Sequence, residues 1–232
     1  MAESLGINPA APAPPVGFRI WFPKDWHLVD LNPRTANRSI DRFLDWCERQ
    51  APDAARYRME TRRALRQVVR QNQARGIFML GFLAATRGSP DLPVGASLTL
   101  AWQKLPQGQL PPAGMIARGM AQGLAAGRYE DGETPRDRFV SVLELRAGPA
   151  AHLRTTQTVP VPWLQGRRPV RISQFMIPVP DQPWFGVITA TSPNLDLTEL
   201  VEAIAEAVAQ SLEFHSGPEM EVLIREMESA AN

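Results

Sequence analysis

The stretch RFVSVLELRAGPAAHLRTTQTVPVPWLQGRRPVRISQFMIPVPDQPWFGVITAT, from Arg138 to Thr191, decides the fold. Apolar residues alternate or cluster in four short runs, as they do in strands, and segments rich in Gly and Pro separate the runs. Consecutive strands with short connections pair antiparallel, so the stretch predicts a four-stranded antiparallel meander. The predicted strands are 138–145, 150–159, 170–177 and 184–191.

Runs nearer the N-terminus predict further strands of the same sheet. Phe18 to Phe22 and Trp26 to Val29 predict an opening hairpin across a short turn at Lys24 and Asp25. Residues 77–86 and 96–102 predict two more strands on either side of a turn-forming segment. We therefore expect an α+β protein built on an antiparallel sheet of six or more strands flanked by α-helices.

The helices are indicated by apolar residues at helical spacing and by residues that favour helix ends. The predicted helices are 39–50, 52–75, one of about fourteen residues after Pro112, 197–210 and 219–229. We expect Asp196 or Ser192 to cap the helix that begins at Leu197. Gly119, Gly123 and Gly127 recur every fourth residue and share one helix face, for which we expect close packing against the sheet.

The chain divides into three parts. Residues 1–16 form a Pro/Ala-rich tail that we expect to be flexible. Residues 17–214 are predicted to be a single α+β domain, since a division would cut the meander. Residues 215–232 follow as a C-terminal amphipathic helix.

The composition is that of an ordinary globular protein, with 44% hydrophobic and 21% charged residues among 232. A net charge of +1 gives no global electrostatic reason to expect nucleic acid or membrane as a partner. Cys47 is the single cysteine, which excludes an intramolecular disulfide and suits a reducing compartment. The first fifteen residues lack the features of a signal peptide, and no apolar run reaches 18 residues. We expect a cytoplasmic protein without a membrane span.

No catalytic or metal-binding pattern stands out in the sequence. His27, His152 and His215 lie on three different predicted elements, without the close pair that a metal site normally shows. The Gly114 to Gly119 spacing lacks the lysine of a phosphate-binding loop. We expect no cofactor, no metal and no catalytic site, although catalytic residues need not be close in sequence.

Charge is distributed unevenly along the chain. Seven arginines and two acids lie between Pro52 and Gly76, whereas nine acids and one arginine lie between Asp196 and Glu228. We expect these surfaces to neutralise each other within the fold or to bind a protein partner. Tyr57, the only aromatic residue of the arginine-rich helix, is predicted to face its apolar side, which disfavours RNA. The expected protein-interaction residues are Arg56, Arg63, Arg66, Arg70, Met220, Leu223, Ile224 and Met227. The partner's identity is not indicated, and self-association stays open.

Two segments resemble the PsbP-like superfamily, which includes a photosystem II extrinsic subunit, a Ran-release nuclear import factor and bacterial lipoproteins. The sequence IWFPKDW, Ile20 to Trp26, is similar to the family's opening Phe-x-Phe-Pro-x-x-Trp. The closing strand and helix, ending in SLEF at Ser211 to Phe214, look like the family's C-terminal part. The resemblance implies an α/β/α sandwich and an accessory or assembly role. The lipobox of the lipoprotein members is absent, which implies a bacterial cytoplasmic member.

We therefore expect a non-enzymatic binding or accessory module, serving a bacterial multiprotein assembly or secretion apparatus. The alternative is a small-molecule or lipid-binding protein. Its pocket would lie between sheet and helices, lined by residues such as Trp102, Phe139 and Phe175. An enzyme of unrecognised type is a further alternative.

Overall fold

The structure is a computed structural model that describes residues 17–24, 26–31, 34–50, 52–74, 76–84, 94–105, 110–126, 136–160 and 167–215. The strands are β1 (Gly17–Arg19), β2 (Trp26–Asp30), β3 (Ile77–Ala84), β4 (Val94–Lys104), β5 (Arg136–Leu145), β6 (Gly148–Pro160), β7 (Arg167–Pro178), β8 (Trp184–Ser192) and β9 (Glu213–His215). The helices are α1 (Ala36–Gln50), α2 (Arg58–Ala74), α3 (Ala113–Ala126) and α4 (Thr198–Gln210). The Pro/Ala tail and the predicted C-terminal helix at 219–229 lie outside the described residues.

Seven strands form one sheet in the order β2-β3-β4-β8-β7-β6-β5, and every pairing in it is antiparallel. The predicted α+β fold and the predicted meander, β5 to β8, are confirmed. The β4–β8 pairing inserts the last meander strand next to β4, where Leu100 lies opposite Ile188. This pairing joins the two halves of the chain into one sheet.

Helices cover both faces of the sheet. On one face, α1 and α2 pack against Leu80 and Phe82 of β3, and Met120 of α3 packs near Ala101 and Val187. On the other face, α4 packs against neighbouring residues that point the opposite way, such as Leu100, Phe175 and Ile188. Because successive strand residues alternate between faces, the strongly apolar β8 can serve both cores.

The predicted opening hairpin is wrong. β1 pairs with β9, with Phe18 opposite Phe214, while β2 pairs with β3 instead. The reason is tertiary: the Phe18 ring lies 5.6 Å from that of Phe78 and 5.0 Å from that of Trp102, both edge-on. Packing this partly buried ring against two other aromatic rings stabilises a long-range pairing that local turn residues do not indicate.

Three helix starts differ from the prediction. α1 begins at Ala36, ahead of Ser39, whose hydroxyl instead accepts a 3.0 Å bond from the Asp30 N–H. Residues Pro52–Tyr57 form a 3₁₀ turn, so α2 begins only at Arg58. A second 3₁₀ turn, Leu195–Leu197, precedes α4, and its cap is Asn194, where Asp196 or Ser192 was expected.

Glycines of α3 and β8 have opposite surroundings. A Cβ atom built on Gly186 of β8 would lie 2.9 Å from Cζ3 of Trp102, because the indole lies flat on that glycine. A Cβ on Gly119 or Gly123 of α3 would meet nothing within 4 Å. The expectation that the α3 glycines pack closely against the sheet is therefore wrong; both are exposed, and Ala117 is the buried residue of the helix.

Candidate functional site

Ion pairs fasten α2 to α1. Arg58 contacts Glu48 Oε1 at 2.6 Å and Asp45 Oδ1 at 2.7 Å, and these bonds raise the pKa of the guanidinium. One turn further along α2, Arg62 pairs with Asp41. Residues four apart lie on the same helix face, so this row of α2 faces α1. Three carboxylates of α1 are thereby occupied.

A second row of α2 faces outward. Met59, Arg63, Arg66 and Arg70 recur at three- and four-residue spacing and are all exposed. Arg66 also donates from Nε to Asn37 Oδ1 of α1 at 3.0 Å. Within the described part of the chain, no carboxylate lies within ion-pair distance of Arg63 or Arg70.

The outer face of α1 continues this surface. Arg38, Arg42 and Arg49 are exposed, opposite the buried Ile40 and Phe43. We call the two rows together the arginine surface. Its members are Arg38, Arg42, Arg49, Arg63, Arg66 and Arg70. The sequence prediction missed the α1 members, although their spacing opposite the apolar residues could have indicated them.

Two apolar side chains are exposed beside these arginines. Tyr57 is 61% exposed at the end of the 3₁₀ turn, and Met59 is 59% exposed in the first turn of α2. The prediction that Tyr57 faces the apolar side is wrong. A 3₁₀ turn has three residues per turn, so the helical phase of Tyr57 is shifted relative to α2. The structure thus removes the sequence-based reason against RNA.

The four predicted arginines are all exposed, and Arg63, Arg66 and Arg70 share one stripe; Arg56 lies in the 3₁₀ turn. The predicted apolar contacts fall outside the described residues. These are Met220, Leu223, Ile224 and Met227.

The acidic residues of α4 do not neutralise the arginine surface. α4 lies on the opposite face of the sheet from α1 and α2. Glu202 instead contacts Arg171 at 2.7 Å and Arg154 at 3.5 Å, both on the strands beneath it. For this described part of the acidic segment, the expected pairing with α2 inside the fold is wrong. The sheet therefore separates the described acids of α4 from the exposed arginines of α1 and α2.

One histidine lies within hydrogen-bond distance of a serine, as in a catalytic dyad. His152 Nε2 lies 3.0 Å from Ser173 Oγ, and its ring stacks on Phe175 at 4.1 Å. Burial, reinforced by the charge of Arg154, lowers the pKa of His152 to about 4. Ser173 is 1% exposed. A nucleophile must reach its substrate, so this contact is a structural hydrogen bond inside the core.

Among the described residues, neither Cys47 nor the potential metal ligands form a reactive arrangement. Burial, with the charge of Glu48, raises the pKa of the Cys47 thiol to about 11, which disfavours the thiolate. Among the residues that the structure describes, no three His, Cys, Asp or Glu side chains come together to hold a metal ion.

The expected pocket lined by Trp102, Phe139 and Phe175 does not form. Trp102 and Phe175 are buried in packed clusters, whereas Phe139 is 49% exposed at the far edge of the sheet. A surface cavity of about 390 Å³ lies elsewhere, between the start of α3 and the β7–β8 turn. It is lined by Leu110, Pro111, Pro112, Ala113, Ile116, Val179, Pro180 and Asp181.

None of the helices in the described ranges is long and apolar enough to cross a membrane.

Comparison of sequences finds no matching protein family and no matching curated protein. Among solved structures, the chain is similar to LpqN, involved in cell envelope biogenesis of Mycobacterium tuberculosis. The TM-score is 0.47 at 11% identity, covering 88% of this chain and 86% of that one. It is also similar to the Ran-binding protein Mog1p of Saccharomyces cerevisiae, with a TM-score of 0.37 at 10% identity over 58% and 77% of the two chains. At 10% and 11% sequence identity, the similarity concerns the fold alone.

Proposed function

We propose that the protein is a non-enzymatic binding module that docks an acidic protein partner on the arginine surface. The proposal rests on one observation, the combination of exposed arginines with exposed apolar side chains on this surface. Arg63 lies one turn beyond the exposed Met59, which follows the exposed Tyr57, and Arg70 lies further along the same stripe. Arg58 and Arg62 occupy the nearby carboxylates of α1. Arginine, tyrosine and methionine are the residue types that protein interfaces favour.

The chemistry of the surface favours carboxylates as ligands. A guanidinium presents planar donors that match a carboxylate in two parallel hydrogen bonds. Tyr57 and Met59 would bury apolar area at the edge of the same contact, and the sulfur-containing side chain adapts to irregular partners. The combination fits a protein that presents acidic residues beside an apolar patch.

Nucleic acid is the competing ligand, because exposed arginines also bind phosphates. An exposed acid at the same surface, Glu60 of α2, would repel a phosphate backbone. The chain's net charge of +1 adds no long-range attraction. These features favour a protein partner.

The proposed biological setting is an accessory role in a bacterial multiprotein assembly or secretion apparatus, in the cytoplasm. It is supported by the resemblance of Ile20 to Trp26 and Ser211 to Phe214 to the PsbP-like superfamily, whose members act as accessory or assembly factors. The apolar stripe of the C-terminal segment is proposed as a second contact. A truncation that ends the chain at residue 216 should then weaken association and leave the melting temperature of the domain unchanged.

Charge reversal tests the arginine surface. Arg63→Glu with Arg70→Glu should weaken capture of the partner from an extract of the native source by about tenfold or more, as for central interface arginines. The matched control is Arg118→Glu with Arg168→Glu, two exposed arginines on α3 and β7 that give the same change in net charge. The control should retain capture.

A defined probe separates the two ligand classes. Labelled poly-L-glutamate and a labelled RNA of similar charge are titrated against wild type and both double variants, and the captures are repeated after nuclease treatment. Nuclease-sensitive capture, with RNA binding that depends on Arg63 and Arg70, would overturn the protein partner in favour of nucleic acid. Equal capture by wild type and the Arg63/Arg70 variant would reject the surface altogether.

A further inference from the structure

β5 forms one edge of the seven-stranded sheet. Among the described residues it pairs only with β6, so the N–H and C=O groups along its outer side face no strand. β5 is ten residues long, whereas β2 at the opposite edge has five. Long exposed edges are templates for adding another strand.

Apolar side chains occupy this edge on both faces of the sheet. Phe139 is 49% exposed and Val142 is 38% exposed, and they point to opposite faces because they are three residues apart. Phe139, Ser141 and Leu143 share the face of α4, and Val140 and Val142 share the face of α3. A strand added at this edge could therefore bury apolar side chains on both faces of the sheet.

A buried hydroxyl at the middle of the strand lacks a partner. Ser141 Oγ is shielded from solvent and makes no hydrogen bond in the structure. A buried hydroxyl without a partner is unfavourable relative to a bonded one. Rotation about the Cα–Cβ bond of Ser141 would have to bring this hydroxyl to the outer side of β5, where a second chain could supply a partner.

We propose that two copies of this chain pair through β5, antiparallel, about a two-fold axis at Ser141. Each Ser141 then faces Ser141 of the second copy, close enough for the two hydroxyls to bond. Phe139 faces Leu143 of the second copy on one face of the sheet, and Val140 faces Val142 of the second copy on the other. A two-fold axis repeats each contact, as a symmetric dimer requires.

Charge is compatible with the same register. Arg138, whose guanidinium also donates to the Leu124 carbonyl of α3, comes opposite Glu144 of the second copy, so unlike charges meet at each end of the contact. Beyond it, Asp137 has a positive φ of 55° within an irregularity of the β5–β6 register, and such a bulge ends regular pairing. The paired segment therefore runs from Arg138 to Glu144.

Two neighbouring registers also place side chains of the same sheet face opposite each other, but their residue pairs are less favourable. Centring the axis on Val140 places Asp137 opposite Leu143. Centring it on Val142 places Val140 opposite Glu144 and Arg138 opposite Arg146. Only the Ser141 register matches apolar with apolar and base with acid.

Disulfide trapping tests the register. In a Cys47→Ala background, Ser141→Cys should form a covalent dimer under mild oxidation. Directly opposed residues have Cα atoms about 4.5–5.5 Å apart, which suits a disulfide. Phe139→Cys is the matched control on the same edge, since two copies of residue 139 would lie about 14 Å apart along the paired strands. We expect about tenfold more covalent dimer from Ser141→Cys than from this control.

Mixing variants checks the pairs away from the axis. Phe139→Cys and Leu143→Cys should cross-link with each other and not with themselves. Cross-linking of Ser141→Cys no greater than that of Phe139→Cys would overturn the proposal, as would a Phe139→Cys homodimer.

A seven-residue contact is small, so the wild-type dimer should be weak and concentration-dependent in sedimentation velocity. Val142→Lys should abolish that dimer with an unchanged circular dichroism spectrum, and a dimer that persists in this variant would reject the β5 edge.

Discussion

Replacing Gly186 by alanine tests the packing that joins the two halves of the sheet. The new Cβ would lie 2.9 Å from Cζ3, 3.5 Å from Cη2 and 3.6 Å from Cε3 of Trp102. The indole cannot move away easily, because it is 6% exposed and stacks on Phe78 at 5.8 Å, with Phe18 and Phe214 around it. The overlap must be relieved by displacing a packed aromatic cluster.

The size of the effect follows from two opposing contributions. Overpacking of a core costs about 1–3 kcal/mol, whereas the lower backbone entropy of alanine in the unfolded chain offsets about 0.4–1 kcal/mol. We expect Gly186→Ala to lower the free energy of unfolding by about 1–2 kcal/mol. In a protein of this size, that corresponds to a fall in Tm of about 2–8 °C.

Urea denaturation followed by circular dichroism measures the effect, and two further variants make it specific. In a Trp102→Leu background, Gly186→Ala should cost much less, because the overlapping atoms are gone. Gly123→Ala on the exposed face of α3 should stabilise by up to about 1 kcal/mol, since nothing occupies the space of its Cβ. An unchanged or higher stability of Gly186→Ala, or an equal cost in both backgrounds, would refute the close contact of Trp102 with Gly186.

Three further predictions concern charge and reactivity. The pKa of His152 is lowered to about 4, so the unfolded chain binds a proton first as the pH falls below about 6.5. Stability should therefore decline between about pH 6.5 and 4, and denaturation curves of His152→Gln should show a smaller decline; an identical decline would contradict a buried neutral imidazole. Cys47, with its thiol pKa raised to about 11, should react with a thiol reagent at pH 8 much more slowly in the native protein than in urea, and equal rates would show an accessible thiol. Arg58→Ala should lower Tm at low salt and less at high salt, since it removes the contacts with Asp45 and Glu48, whereas Arg63→Ala should leave Tm unchanged. Equal effects of these two substitutions would contradict the division of α2 into paired and exposed arginines.

Local sequence signals were sufficient for much of the architecture. The four meander strands and α3 are confirmed close to their predicted bounds, because strand alternation, turn residues and Pro111-Pro112 act over a few positions. The arginine-rich helix was also predictable, since its apolar and charged residues have helical spacing. Which of its arginines are exposed could be read only in part, and Arg58 and Arg62 show why. Their pairing depends on where α1 lies.

The sequence by itself determined the α+β class, the antiparallel meander and the basic character of α2, since these follow from interactions between residues near in sequence. The tertiary structure decided the partner of β1, because Phe18 packs against Phe78 and Trp102 and pairing with β9 places it there. It also decided that Trp102 lies on Gly186, filling the space where a pocket was expected. These choices depend on contacts between residues far apart in sequence. Their energy comes from burying apolar area in one particular packing, which local periodicity does not specify.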